Sequence, residues 1–175
     1  MTREEYWYWL CTAPDIFRED ISRILSVYQD PEVVFETGKE ELYERNLVTK
    51  LQAEGLKQTA ESGSFSEKLK KLKADGIRFL YPECPDYPQK LKLIPDYPYS
   101  LYVKGNMPDP EKPSVGMVGT RASSTYGMAM ANKFSKALAG SGVQIISGMA
   151  IGIDSESARG ALAGGGKTLR FWEAE

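Results

Sequence analysis

The chain has 175 residues, of which 42% are apolar and 11% aromatic, enough for one ordinary domain or two small ones with a buried core. Its 22 basic and 24 acidic side chains leave a net charge of −2, which excludes binding to nucleic acid or membranes through overall positive charge. Histidine is absent, which excludes Ser-His-Asp and Cys-His catalysis and every histidine-containing metal site.

Two cysteines, Cys11 and Cys84, are too few for a structural zinc site, and no secretory signal favours a disulfide between them. No apolar run approaches the roughly 18 residues that span a bilayer. These features predict a reduced, cytoplasmic protein that binds no metal and no membrane.

The first part of the chain predicts a small all-α domain over residues 1–62. Apolar side chains recur with the spacing of one helix face at Ile21, Ile24, Leu25 and Tyr28. Further short helices are predicted near residues 42–47 and over residues 51–60, with polar outer faces.

The second predicted domain, residues 63–175, begins with a lysine-rich helix. Ser64 and Glu67 have the spacing of a capping box, and Gly76 ends the pattern. The lysines favour a solvated helix face, with phosphate contact as the alternative. A short strand is predicted over residues 77–80.

Prolines dominate the next stretch, since eight of the ten lie between residues 82 and 113. Because each proline fixes φ and lacks a backbone donor, this segment cannot form a long helix. It predicts an extended, turn-rich connection with one short strand over residues 101–103.

From Ser114 onward the pattern alternates between strands and helices. Strands are predicted over residues 115–118 and 143–146 and from residue 168, and helices over residues 125–139 and 154–162. Strand and helix in alternation, joined by short glycine-bearing links, predict βαβ units and a parallel sheet.

Two glycine-bearing loops, residues 119–124 and 147–154, follow predicted strands and therefore lie at the edge of the sheet where ligands bind. Each leads to a helix N-terminus, whose free N–H groups suit a phosphate, and Arg121 adds a positive charge. Residues 1–46 carry a net charge of −6 and residues 112–169 a net charge of +4, so any polyanion contact belongs to the last third. The alternatives are chance composition, glycines that only make turns, and a surface ion pair at Arg121.

Simple nucleotide motifs are incomplete. The segment 164–168 imitates the end of a phosphate-binding P-loop, but position 161 is alanine and the segment runs from helix to strand. The G-x-G-x-x-G fingerprint is missing as well, so no cofactor is expected. Ser123 and Ser147 have no histidine to activate them. Asp154 fits a helix N-cap better than a general base.

The second half of the chain resembles the DNA-processing protein A (DprA, or Smf) family. The resemblance covers about 85 residues and rests on motifs at Tyr87-Pro88, Leu91, Pro98, 101–105, 118–121, 126–127, 146–150, 152–154, 159–162 and 165–168. The helical first domain resembles the sterile-alpha-motif-like domain that many members carry. The expected fold class is therefore α/β, with an incomplete Rossmann-like parallel sheet after a small all-α domain.

The resemblance implies a cytoplasmic protein without catalytic activity, which binds incoming single-stranded DNA and loads the recombinase RecA in natural transformation. The family's DNA-contacting Gly-Ser/Thr-Arg motif falls on Gly119, Thr120 and Arg121. The complete predicted DNA-binding set is Gly119, Thr120, Arg121, Tyr126, Gly127, Ser147, Gly148, Gly152, Asp154 and Lys167.

The sequence departs from the family in two places. Ala158 stands where many members have histidine, and residues 169–175 replace the family strand Ala-Val-Leu-Gly-x-Gly and the dimer surface that follows it. Codons for residues 169–175 can encode Ala-Val-Leu-Gly-Ser-Gly in another reading frame, which predicts a frameshift just before Arg170. A divergent tail is the alternative, and the DNA sequence decides between them.

Truncation predicts that the 175-residue chain binds single-stranded DNA weakly or not at all, while the frame-restored chain binds it. The homodimer of the family is doubtful for the shorter chain. Two other hypotheses remain open: a Rossmann-like enzyme or sensor of small nucleotides, and an inactive fragment.

Overall fold

A computed structural model describes residues 1–171, in which the chain divides into two compact units, Met1–Met107 and Pro108–Glu175. The predicted frameshift concerns residues 170–175, and positions 172–175 lie outside the described residues. Up to residue 171, none of the helices combines the length and the hydropathy that a bilayer crossing requires.

The first unit is helical at its start, as the sequence predicts. Its helices are α1 (Arg3–Thr12), α2 (Arg18–Tyr28), α3 (Pro31–Glu36), α4 (Lys39–Glu44), α5 (Lys50–Ser62) and α6 (Ser64–Ala74). Strands β1 (Ile77–Leu80) and β2 (Leu101–Lys104) follow and pair antiparallel, with a short 3-10 helix over Gln89–Leu93 between them. Both short strands are therefore confirmed.

One hydrophobic core joins α1 to β1 and places residues 63–107 with the first unit. Trp9 and Ile24 are completely buried in it, and Phe65 of α6 and Phe79 of β1 belong to the same cluster. The ring of Tyr8 meets that of Phe79 edge-on at a centroid distance of 5.0 Å. Along the chain, the first compact unit therefore ends at residue 107 and the second begins at residue 108, whereas the sequence analysis places the domain boundary after residue 62.

The junction between α5 and α6 differs from the predicted capping box. The two helices are joined by Gly63 alone, which adopts a left-handed conformation with φ of +60°. Ser64 is already the first helical residue and therefore cannot be the N-cap. The α6 lysines are exposed, as expected for a solvated face, and Lys73 pairs with Glu4.

The second unit is a three-stranded parallel sheet with two crossover helices. Its elements are β3 (Ser114–Gly116), α7 (Thr125–Gly140), β4 (Gln144–Ser147), α8 (Ile153–Ala163) and β5 (Thr168–Arg170). The strand order is β3-β4-β5, and Ile145 of the central strand pairs with both Val115 and Thr168. This arrangement confirms the Rossmann-like parallel sheet and places all three strand ends at one edge.

The core of this unit is small and depends on close packing of the two helices. Ile145 is fully buried against Ala139 of α7 and Ala161 of α8, so both helices cover the same sheet face. A β-carbon added to Gly160 would clash with the carbonyl oxygen of Asn132, and one added to Gly164 would lie 2.5 Å from that of Lys136. The helix backbones therefore touch, and larger side chains cannot separate them without moving α8.

We expect Gly160→Ala to destabilise the second unit by about 1–3 kcal/mol, because the added methyl group forces α7 and α8 apart. Gly140→Ala is the matched control, since its β-carbon would lie 3.8 Å from the nearest atom, the carbonyl oxygen of Gly164. That change is expected to be neutral or stabilising by up to about 1 kcal/mol. Thermal unfolding and hydrogen exchange in β4 measure the stability of both variants. Equal stability of the two variants would contradict the close backbone contact between α7 and α8 at Gly160.

Candidate functional site

Two loops at the carboxyl edge of the sheet lie in direct backbone contact. The first loop, residues 117–124, joins β3 to α7, and the second loop, residues 148–152, joins β4 to α8. At Gly152 φ is +96°, and a β-carbon there would clash with the carbonyl oxygen of Thr120 and lie 2.8 Å from that of Arg121. One added to Gly119 would lie 2.7 Å from the β-carbon of Ile153. Glycine is therefore required on both sides of the contact.

A buried carboxylate fixes the two loops to each other. The Asp154 side chain belongs to a residue only 5% exposed, and its two oxygens accept separate backbone hydrogen bonds. Oδ1 accepts from the amide of Gly119 at 3.0 Å, and Oδ2 from the amide of Gly148 at 3.1 Å. Both oxygens of the charged group are thus hydrogen-bonded, which makes its burial tolerable.

This geometry corrects the N-cap prediction for Asp154. The N-cap of α8 is Gly152, and Asp154 lies inside the first helical turn with its side chain directed to the loop amides. Asp154 therefore positions the loops, and its bonded carboxylate is not presented to a ligand.

Arg121 and the start of α7 form the electropositive part of the site. Arg121 is exposed, and within residues 1–171 its guanidinium forms no ion pair with an acidic side chain. Ser124 caps α7 by accepting from the amide of Gly127 at 3.1 Å, and the first turn carries no acidic residue. The amides of Thr125 and Tyr126 have no acceptor within the helix, as usual for a first turn. An anion is favoured here by both charge and free donors.

The start of α8 does not offer the second phosphate site that the sequence predicts. The amide of Ile153 donates to the carbonyl of Thr120 at 3.4 Å, and that of Ser155 donates to Ala150 at 3.0 Å. Asp154 and Glu156 add negative charge to the same turn. Of the two helix starts, only that of α7 suits a phosphate.

The remaining predicted residues divide between the loops and the opposite edge. Ser147 is 2% exposed, and its hydroxyl accepts from the amide of Met149 at 3.2 Å, so it shapes the second loop from within. Lys167 precedes β5, and its carbonyl accepts from Ile145 at 3.3 Å, which places it at the amino edge of the sheet. A three-residue strand is about 10 Å long, so the structure does not bring Lys167 to the loops.

Exposed apolar side chains lie around these loops, and the sequence prediction included Tyr126 but missed the others. Val118, Tyr126, Ile151 and Phe171 have exposed fractions of 77%, 75%, 79% and 52%, respectively. Apolar residues directly beside the loop glycines, outside the buried strand cores, were the available signal. Residues 1–171 contain no group of three histidine, cysteine, aspartate or glutamate side chains that could hold a metal ion.

Comparison with protein families gives one match that covers more than half of the chain. The family model for DNA recombination-mediator protein A matches residues 78–172. Protein Smf of Synechocystis sp. is 41% identical over 96 residues, which are 53% of this chain and 24% of that protein. DNA processing protein DprA of Bacillus subtilis is 36% identical over 95 residues, which are 54% of this chain and 32% of that protein. The chain thus matches about a quarter to a third of the length of these relatives.

A solved structure shares the fold across nearly the whole chain. The crystal structure of DNA processing protein A from Streptococcus pneumoniae superposes with a TM-score of 0.73 at 24% sequence identity. The match covers 97% of this chain and 57% of the other. It extends the similarity from the family segment to the helices of the first unit.

We expect Asp154→Asn to loosen both loops, because an amide group has one acceptor oxygen and would turn its NH₂ towards a loop amide. Leaving one buried donor without an acceptor costs about 1–3 kcal/mol. Hydrogen exchange at the amides of Gly119 and Gly148 should accelerate together. Glu156→Gln, which removes the same charge two residues away, serves as the control and should leave both rates unchanged. Unaltered exchange in Asp154→Asn would show that the carboxylate does not hold the loops.

Proposed function

The chain belongs to the DNA recombination-mediator protein A family, and from this premise we propose that its second unit binds the phosphate backbone of single-stranded DNA. The ligand is held at Arg121 and the start of α7, and no covalent step takes place. Arg121 carries the proposal: it is an exposed guanidinium without an acidic partner in residues 1–171, beside a helix start without acidic residues.

The chemistry of the first loop supports a phosphate ligand. A guanidinium donates two parallel hydrogen bonds to the oxygens of one phosphate, and the free amides at the start of α7 can donate to the same phosphate or to the next one. Backbone contacts of this kind distinguish poorly between base sequences and weaken as salt rises. We therefore expect binding that is sensitive to salt and nearly indifferent to sequence.

The wider role follows from the family resemblance. We infer from it that the whole protein acts in the cytoplasm, binds the incoming single-stranded DNA and helps to load RecA on it in natural transformation. Two relatives carry the name DNA processing protein, which supports the general role in DNA processing. RecA loading and a homodimer belong to the proposal for proteins of the relatives' full length, of which this chain matches 24% in the Synechocystis relative.

Replacing Arg121 by alanine tests the phosphate contact directly. We expect Arg121→Ala to weaken the binding of single-stranded DNA about tenfold, equal to ~1.4 kcal/mol, for every base sequence alike. The slope of log affinity against log salt should fall by about one. Fluorescence anisotropy with labelled oligonucleotides at low ionic strength measures both quantities on the 175-residue chain.

Arg159→Ala provides the matched control, because Arg159 is also an exposed arginine of the second unit but pairs with Glu156 at 2.5 Å. Its loss should leave affinity and salt slope unchanged. If both variants bind like the wild type, or if neither the 175-residue chain nor the frame-restored chain binds at low ionic strength, the proposal is wrong. Competition by a mononucleotide as strong as that by the oligonucleotide would instead support the small-nucleotide sensor.

A further inference from the structure

We propose that the exposed apolar side chains around the two loops form a surface that binds the unstacked bases of the same DNA strand. This surface, here called the apolar rim, consists of Val118, Tyr126, Ile151 and Phe171. The inference rests on the proposed function and adds to it the reason for preferring a single strand.

Backbone contacts place two members of the rim around Arg121. Val118 directly precedes Gly119, whose amide is bound by Asp154, and it lies three residues before Arg121. Ile151 directly precedes Gly152, whose α-carbon faces the carbonyl oxygens of Thr120 and Arg121. The two side chains therefore belong to loops that touch at Arg121.

The two aromatic members flank the same loops. Tyr126 lies in the first turn of α7, and its neighbour Gly127 faces Ile153, whose Cδ1 would lie 3.4 Å from an added β-carbon. Phe171 follows β5, and its amide donates to the carbonyl of Ser147 at 2.9 Å, just before the second loop. Within residues 1–171, neither ring packs against another aromatic ring, so their faces are available to a planar ligand.

The combination of charge and apolar surface indicates the occupant. A patch that is only apolar would fit many partners, but this one lies on the loops that carry Arg121, whose guanidinium has no ion-pair partner in residues 1–171, and on the start of α7, whose first turn has no acidic residue. Single-stranded nucleic acid presents phosphates and exposed base faces at neighbouring positions, and aromatic side chains stack on such bases without regard to sequence. A duplex hides the base faces within its own stack. The rim should therefore distinguish strands by whether their bases are free.

Abasic DNA separates base contacts from phosphate contacts. Affinities are measured for an oligothymidine and for an oligomer of the same length without bases, with wild type, Tyr126→Ala, Tyr126→Phe and Arg121→Ala. We expect Tyr126→Ala to weaken binding of the oligothymidine about tenfold, with an unchanged salt slope and no effect on the abasic oligomer. Tyr126→Phe should retain the wild-type affinity, because it keeps the ring. Arg121→Ala should weaken binding of both ligands.

Tyr43→Ala is the matched control, because Tyr43 is 49% exposed on α4 of the first unit. It should leave both affinities unchanged. Equal losses on the two ligands in Tyr126→Ala, or no loss on either, would overturn the rim while leaving phosphate binding intact. A lowered melting temperature with unchanged affinities would also overturn it, since Tyr126 would then be a folding contact. If the proposed function itself is wrong, Arg121→Ala will not change the affinity for either oligomer, which distinguishes that outcome from failure of the apolar rim alone.

Discussion

The buried carboxylate of Asp154 is the interaction on which the candidate site depends. One side chain fixes two loops that follow different strands, because each of its oxygens accepts from a different glycine amide. The negative charge lies behind the loops and is engaged by backbone donors, while the guanidinium of Arg121 remains exposed in front. The exposed side of the two loops is therefore positively charged, although an acidic residue is buried between them.

The hydrogen bonds of Asp154 are important because the burial of apolar side chains contributes little to the stability of the second unit. Up to residue 171, its cluster of buried apolar side chains consists of Ala139, Ile145 and Ala161, with Met117 and Leu138 partly buried beside it. The helices instead approach at Gly160 and Gly164 until their backbones touch, which fixes how α8 packs on α7. Helix packing set by backbone contact and loops set by hydrogen bonds together determine where Arg121 lies.

The sequence predicted the fold well because its signals are local. The alternation of apolar runs and helical segments after Ser114 needs only neighbouring residues, and all three strands and both helices lie where it places them. The domain boundary was placed differently because the packing of Phe65 and Phe79 against α1 joins residues far apart in sequence. Asp154 was misassigned for a similar reason. Its position before a helix favours a cap, while its actual partner Gly119 lies 35 residues away.

The electrostatic part of the site and Tyr126 were predictable, whereas the rest of the apolar part was not, for physical reasons. An arginine in a glycine-bearing loop indicates an anion site, whereas Val118 ends a predicted strand and Ile151 lies in a predicted loop, and neither position shows that an apolar side chain is exposed. The rim and Arg121 are also positioned by the same contacts, since Gly152, which directly follows Ile151, lies against the carbonyl oxygens of Thr120 and Arg121. Any displacement of the second loop must therefore move an apolar member relative to the charge. Phosphate binding and base binding are for that reason expected to be coupled through Asp154, although neither group touches its carboxylate.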